Sequence, residues 1–235
     1  MIDDLGVTEQ IKSARFFDDK AYIVTFRRTD PLYTINFTDA ENPVVTDELK
    51  VSGYSSYLHP VGSDRLLAIG KEVNETTGRN IGFQVTLFDV SDLENTKLLQ
   101  RHTIKQRWSS SAAEDDHLAF RYLPKSKLLI IPISIRDYSW LDDNERDQEE
   151  FDGFKVYKVT DHEIDERYSL SLVQPSRINR GCWYHTYLPP RSLVFKGNVT
   201  LVKGHGYMSY DMVTEQFRWK HELDHNLTKC WSYWS

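Results

Sequence analysis

The sequence has no long apolar run and only two cysteines among its 235 residues. A membrane-spanning helix needs roughly 18 or more consecutive apolar residues, so we expect no membrane span. The start of the chain, Met1 to Gln10, is polar and acidic and lacks the apolar stretch of a signal peptide. Cys182 and Cys230 lie far apart and do not form a metal-like pair. A disulfide and two buried thiols are both compatible with this spacing.

Motifs of the common catalytic and metal-dependent classes are also missing. There is no Gly-x-Ser-x-Gly nucleophile elbow and no His-Glu-x-x-His zinc motif. Gly204-His205-Gly206 lacks the Lys-Ser/Thr that follows in a phosphate-binding loop. His221 and His225 are four apart, but they fall at the end of a predicted strand, where this spacing does not pair them. The sequence therefore predicts no metal and no cofactor, and it identifies no catalytic residue.

The charge argues against a nucleic-acid partner. The net charge is -6 at pH 7, and phosphates repel an acidic surface unless it carries a local basic patch. Arg27-Arg28 is too short to be such a patch. The acidic segment 142–150, DDNERDQEE, predicts a solvated loop rather than a cation site.

What the sequence does contain is an internal repeat. LYTINFTDAENPVV and VTLFDVSDLENTKLL align at a shift of 53 residues. Each copy alternates apolar and polar residues with the period of a half-buried strand, followed by Asp and Asn residues that can bond their own backbone in a turn. The matched residues are Ile35 with Phe88, Asp39 with Asp92, and Asn42 with Asn95. Four copies begin at Leu32, Val85, Phe154 and Tyr207.

A second strand pair with a tight turn precedes each copy, so each unit holds four strands. Units of about 40 to 50 residues have the size of a propeller blade. The sequence therefore predicts an all-β protein: a β-propeller of about four four-stranded blades, either closed or part of a larger ring, in a single domain 1–235. The predicted blades are 11–53, 54–106, 107–175 and 176–225, with a tail at 226–235.

Several stretches resemble a family of secreted proteins with a C-terminal β-propeller domain distantly related to WD repeats. They are LGVTEQIKSARFFDDKAYIVTFRRTDPLYTINFTDAENP, GYSSYLHPVGSDRLLAIGKE, VTLFDVSD, and DDHLAF followed by LLIIPIS. The DVSDLEN turn also resembles LVIVD-repeat propellers. The resemblance implies a secreted or cell-surface protein with further blades upstream, although the missing signal peptide leaves the cytoplasm open. This family has no established activity, so no catalytic residue carries over.

A candidate ligand site follows from the propeller architecture. The innermost strands line a central channel, and ligand sites favour concave places. The segments that enter these strands are polar and aromatic. If their ends converge, six side chains meet at the channel mouth: Arg15, Tyr57, His59, Asp116, His117 and Arg191.

Asp116-His117 allows two interpretations. A carboxylate near an imidazole can orient it as a general base, but adjacent residues of a strand point to opposite faces. The predicted strand HLAFRYLP begins at His117, so the alternative is that the pair ties blades together. We accordingly expect a non-catalytic extracellular or surface binding module for an unidentified ligand or protein partner. The alternative is a hydrolase or lyase, with His117 in a deep pocket.

Overall fold

The computed structural model describes residues 2, 5–7, 9–26, 30–136, 150–171, 189–203, 206–214 and 216–222. Cys182, Cys230 and nearly all of the acidic segment 142–150 lie outside the described residues. Among the described residues, no helix is long and apolar enough to cross a membrane.

The first two sheets are antiparallel meanders, in which each strand pairs with the next one along the chain. Sheet 1 has the order β1-β2-β3-β4, with strands Gln10–Phe17, Lys20–Phe26, Asp30–Asn36 and Val44–Val51. Sheet 2 has the order β5-β6-β7-β8, with strands Tyr54–Val61, Arg65–Val73, Asn80–Asp89 and Lys97–Ile104.

The other two sheets repeat this order. The short strand β9, Ser109–Ser110, is followed by two one-turn 3-10 helices, η1 at Ala112–Glu114 and η2 at His117–Ala119. Sheet 3 has the order β10-β11-β12-β13, with strands Arg121–Leu123, Leu128–Ile135, Phe151–Val159 and Ile164–Ser171, and β9 also pairs with β11. Sheet 4 has the order β14-β15-β16-β17, with strands Arg191–Phe195, Asn198–Lys203, Gly206–Asp211 and Gln216–Glu222.

The turns of the repeat are built as the sequence predicted. Asp39 Oδ1 and Asp92 Oδ1 each accept a hydrogen bond from the backbone N–H two residues on, both at 3.0 Å. The backbone N–H three residues on donates to the carbonyl oxygen of each Asp, both at 3.2 Å. The predicted equivalence of Asp39 and Asp92 is therefore confirmed at the level of individual hydrogen bonds.

The chain divides into two compact units, each with its own core. The first consists of residues 1–109 with 158–165, and the second of residues 110–157 with 166–235. Sheets 1 and 2 share the core of the first unit: Tyr22, Val24, Leu32, Leu58, Leu66, Ala68, Phe88 and Val90. Sheets 3 and 4 share the core of the second: Ile130, Phe154, Val156, Leu170, Val199, Leu201, Met208 and Tyr210. Burying each large side chain stabilises its unit by about 1.5–3 kcal/mol.

A buried ion pair connects sheets 3 and 4. Lys203 Nζ lies 2.6 Å from Asp152 Oδ1 and also donates to Ser134 Oγ at 3.0 Å. Burial alone would raise the pKa of Asp152, but the charge and hydrogen bond of Lys203 outweigh burial and lower it. Burial lowers the pKa of Lys203, and Asp152 opposes that effect. The pair therefore holds two sheets together as an ionised, hydrogen-bonded unit.

The prediction of an all-β fold with about four four-stranded sheets is confirmed, with β9 as an additional short strand of sheet 3. The division into one domain with the blade limits given above stays a prediction. One local prediction was wrong: HLAFRYLP is not a strand from His117 onward, since residues 117–119 form η2 and only Arg121–Leu123 is extended. The cause is Asp116, whose Oδ1 accepts from Leu118 N at 3.0 Å and caps a helical turn.

Candidate functional site

Two edge strands of the first unit, β1 and β5, lie next to each other. Ser13 Oγ on β1 donates to the backbone oxygen of Ser55 on β5 at 2.8 Å. Each strand carries a register shift just before its predicted site residues, between residues 11 and 13 in β1 and between residues 55 and 57 in β5. A β-bulge of this kind changes the direction of the side chains that follow it.

The bulge in β5 decides which face Tyr57 and His59 occupy. Ser55 pairs with Gly70 and Leu58 pairs with Ala68. Because Gly70 and Ala68 are two apart on β6 and share a face, Ser55 and Leu58 also share a face, although they are three apart. Tyr57 and His59 consequently point to the opposite face. Glycine is needed at position 70, because a Cβ there would collide with the backbone oxygen of Tyr54. Simple alternation along the sequence does not reveal this change of face.

Tyr57 and His59 form a pair on that face. Tyr57 Oη and His59 Nδ1 are 3.3 Å apart, and the ring centroids are 6.2 Å apart. Burial, together with the positive charge of Arg15, lowers the pKa of His59 to about 4. Burial raises the pKa of Tyr57, although Arg15 acts in the opposite direction. At neutral pH the pair is therefore an uncharged imidazole beside an uncharged phenol.

Arg15 supplies the charge of this group. Its side chain is half-buried, and its Nε is buried without a hydrogen-bond acceptor. Among the described residues, its guanidinium has neither a hydrogen bond nor an ion pair. Its charge nevertheless acts on both His59 and Tyr57. In the first unit the structure thus places Tyr57 and His59 in contact and Arg15 close enough for its charge to act on both.

Asp116 and Arg191 meet in the second unit. Arg191 Nη1 lies 2.7 Å from Asp116 Oδ2 and also donates to the backbone oxygen of Pro190 at 2.8 Å. Burial would raise the pKa of Asp116, but its hydrogen bonds with Arg191 and the backbone of Leu118 lower it overall. Asp116 therefore links η2 to β14 as an ionised carboxylate, and both of its oxygens are engaged.

His117 directly follows Asp116 in the sequence but is exposed to solvent. It is the exposed first residue of η2 and does not lie on a buried strand face. The interpretation in which this pair ties blades together therefore applies to Asp116, which binds Arg191. His117 is exposed and does not lie in the deep pocket that its catalytic role would require. Arg15, Tyr57 and His59 belong to one unit and Asp116, His117 and Arg191 to the other. Convergence of all six stays a prediction.

Sequence reasoning missed Arg121. Arg15, His59 and Arg121 each stand two residues before the end of the first strand of their sheet, and a hairpin turn follows each strand. The signal was available in the sequence as RFF, HPV and RYL before the turns DD, GSD and PKSK. Arg121 Nη2 donates to the backbone oxygen of Ser192 at 3.1 Å, and its Nε is buried without an acceptor.

No metal centre is evident in the part of the chain that the structure describes, where no group of three or more His, Cys, Asp or Glu residues could hold an ion. The candidate site is therefore a set of cationic, phenolic and imidazole groups on strand edges.

Comparison with known proteins identifies the fold family. The family described as a β-propeller domain matches residues 1–214. An uncharacterized protein of Methanocaldococcus jannaschii is 33% identical over 207 residues, covering 86% of this chain and 29% of that protein. An uncharacterized protein of Archaeoglobus fulgidus is 33% identical over 137 residues, covering 58% of this chain and 21% of that protein. The chain thus spans less than a third of the length of either relative.

Solved structures show similarity at low sequence identity. Apo AztD from Citrobacter koseri has a TM-score of 0.48 at 14% identity, over 91% of this chain and 47% of that one. A chain of a nidogen/laminin complex has a TM-score of 0.37 at 9% identity, over 94% of this chain and 82% of that one.

Proposed function

We infer that this chain, which belongs to the β-propeller domain family, is a non-catalytic binding module with its ligand groups on the edge strands of its blades. In the first unit these groups are Arg15, Tyr57 and His59. The rigid sheets position them, and such scaffolds tolerate variation at their edges without loss of the core.

The observation that carries the proposal is the state of His59. A general base works best when its pKa lies near the operating pH, and the pKa of His59 is about 4. At pH 7 this imidazole is a weak base, and as a neutral ring it carries one hydrogen-bond donor and one acceptor, of which Nδ1 contacts Tyr57 Oη. Together with Tyr57, it suits recognition better than proton transfer.

The second unit supports the same conclusion. The enzyme alternative, a hydrolase or lyase, needs a carboxylate or imidazole that exchanges protons near neutral pH. Asp116 is instead held ionised between Arg191 and the backbone N–H of Leu118. A carboxylate with this role is better explained as part of the framework.

An extracellular or cell-surface location belongs to the proposal, as does a longer chain with further blades. The resemblance to secreted propellers supports the location. The greater length of both archaeal relatives supports the longer chain. The ligand or protein partner acts, in this proposal, at the edge formed by β1 and β5.

A binding screen tests the proposal. The protein would be titrated with neutral sugars, nucleosides, amines, carboxylates and phosphates, followed by 1H–15N NMR. A ligand of this edge should shift the resonances of residues 55–59 and bind His59→Gln about tenfold more weakly. His162→Gln, on an exposed turn of the same unit, should bind normally.

Two results would contradict the proposal. Failure of every class to perturb the edge would argue against a ligand site there. The enzyme alternative would instead be established if the protein converted any of these compounds to a product and if both His59→Gln and Asp116→Asn abolished that conversion.

A further inference from the structure

We propose that the ligand of the β1–β5 edge carries an oxyanion, a carboxylate or phosphate group, and that Arg15 binds it through its guanidinium. This inference rests on the proposed binding function and names the chemical class of the ligand.

The guanidinium of Arg15 lacks an acceptor for its buried Nε–H and a carboxylate partner among the described residues. An arginine presents five N–H donors and no acceptor, and buried donors in proteins almost always have partners. Arg15 Nε is buried with no acceptor, and no carboxylate among the described residues pairs with the side chain. A group of this kind in a native protein calls for an anion or ordered water to complete it.

Other half-buried arginines of the first unit show the contrast. Arg65 Nε donates to the backbone oxygen of Asp161 at 2.7 Å, and its Nη1 lies 2.8 Å from Asp89 Oδ1. Arg101 Nη1 lies 3.0 Å from Glu72 Oε2. Arg101 Nε is, like Arg15 Nε, buried without an acceptor, so the feature that separates Arg15 from Arg65 and Arg101 is the missing carboxylate partner.

Arg121 repeats the arrangement in the second unit. It stands at the same strand position as Arg15, its Nε is buried without an acceptor, and it has no ion pair with a described residue. Its partner residue Ile130 belongs to the core between sheets 3 and 4, as the partner of Arg15, Tyr22, belongs to the core between sheets 1 and 2. The same blade position thus carries an arginine without a carboxylate in two separate units.

The chemistry of the group suits an oxyanion. A guanidinium can bind a carboxylate or phosphate with two parallel hydrogen bonds, and partial burial reduces screening by salt. Tyr57 and the neutral His59, on which the charge of Arg15 acts, bring no negative charge that would oppose an anion. A bound anion should also oppose the effect of Arg15 on His59 and raise the pKa of that imidazole.

The test observes the buried donor itself. The arginine Nε–Hε resonances of the 15N-labelled full chain would be followed during titration with inorganic phosphate and, separately, with acetate. Sodium chloride at equal ionic strength is the reference. The resonance of Arg15, identified by its loss in Arg15→Gln, should shift and saturate with at least one anion. The resonance of Arg65, whose Nε already has an acceptor, should stay in place.

Two variants keep the test independent of folding. Arg15→Lys retains the charge but not the two-pronged donor, so it should bind the anion about tenfold more weakly. The titration of the His59 imidazole, followed by NMR, should move to higher pH when the anion is bound to the unmodified chain. In Arg15→Gln the anion should leave it unchanged.

The outcomes separate the possible failures. Shifts no larger than those with chloride, or equal shifts at Arg65, would overturn the anion assignment. A neutral ligand that binds at Tyr57 and His59 without moving the Arg15 resonance would also overturn it, while leaving the binding module intact. If no compound of any class perturbs the edge, both proposals fail. The phosphate and acetate titrations show which oxyanion is preferred.

Discussion

The edge strands β1 and β14 each carry a half-buried arginine, and the two arginines have opposite surroundings. Arg191 lies 2.7 Å from Asp116, which also caps η2. Arg15 has no carboxylate among the described residues and a buried Nε without an acceptor. The difference teaches that residue type and a place on an edge strand do not by themselves assign a role. A compensated charge stabilises the framework, whereas an uncompensated one is available to a ligand.

The largest loss of stability is expected from breaking the buried ion pair of Lys203 and Asp152. Lys203→Met leaves the Asp152 carboxylate, whose side chain is only 3% exposed, without its cation. Removing one partner of a buried pair lowers the free energy of unfolding by about 3–5 kcal/mol, which urea unfolding measures. The double variant Lys203→Met/Asp152→Leu should recover most of this loss, since no charge then stays buried alone. An equally unstable double variant would contradict the explanation.

The next effect is a pH dependence from His59. Its folded pKa of about 4 lies below the ordinary value of 6.5. Between these values the unfolded chain binds more protons, so the free energy of unfolding falls as pH falls. The loss from pH 7 to pH 4 should be about 2 kcal/mol, allowing for the residual exposure of the ring.

Urea unfolding across this pH range checks the prediction. His59→Gln should remove the decline between pH 6.5 and 4, whereas His162→Gln, on an exposed turn, should retain it. A decline that persists in His59→Gln would show that another group titrates in this range.

A smaller loss of stability is expected from replacing Asp116, the ion-pair partner of Arg191. Asp116→Ala removes a helix cap and a partly exposed ion pair, which together stabilise the fold by about 1–2 kcal/mol. Asp115→Ala, at the exposed neighbouring position, should stay within about 0.5 kcal/mol of the unmodified chain. Thermal and urea unfolding compare the two. Equal stabilities would mean that Asp116 is not a framework residue.

The smallest effect is expected at Arg15. Arg15→Gln removes no ion pair with a described residue, so the free energy of unfolding should change by less than about 0.5 kcal/mol. Arg101→Gln is the matched comparison, because it leaves Glu72 with a hydrogen bond from Ser52 but without its cation and should cost about 2 kcal/mol. A strongly destabilised Arg15→Gln would show that Arg15 has a structural partner after all, and would erase the contrast with Arg191.

Much of the fold could be predicted because its signals are local. The turn residues Asp39 and Asp92 bond their own backbone within three residues, so the sequence around each turn is sufficient. The same rule explains the error at His117. Asp116 can cap a helical turn as readily as it can precede a strand, and the apolar residues that follow do not distinguish the two outcomes.

The candidate site was less predictable because its features are not local. The bulge in β5 moves Tyr57 and His59 to the face opposite Ser55, and it depends on Gly70 in the neighbouring strand. The acceptor that Arg191 finds, Asp116, is remote in sequence. Arg121 could have been found from its distance to the hairpin turn, but only after the four hairpins had been aligned.

By itself, the sequence determined the all-β architecture, the four repeats and the composition of their turns, because alternation and turn chemistry act over a few residues. Only the tertiary structure decided which charges are compensated. That outcome depends on which strands lie side by side and on where a bulge redirects a side chain. Arg15 and Arg191 look alike in the sequence, and their surroundings alone separate a candidate ligand group from a part of the framework.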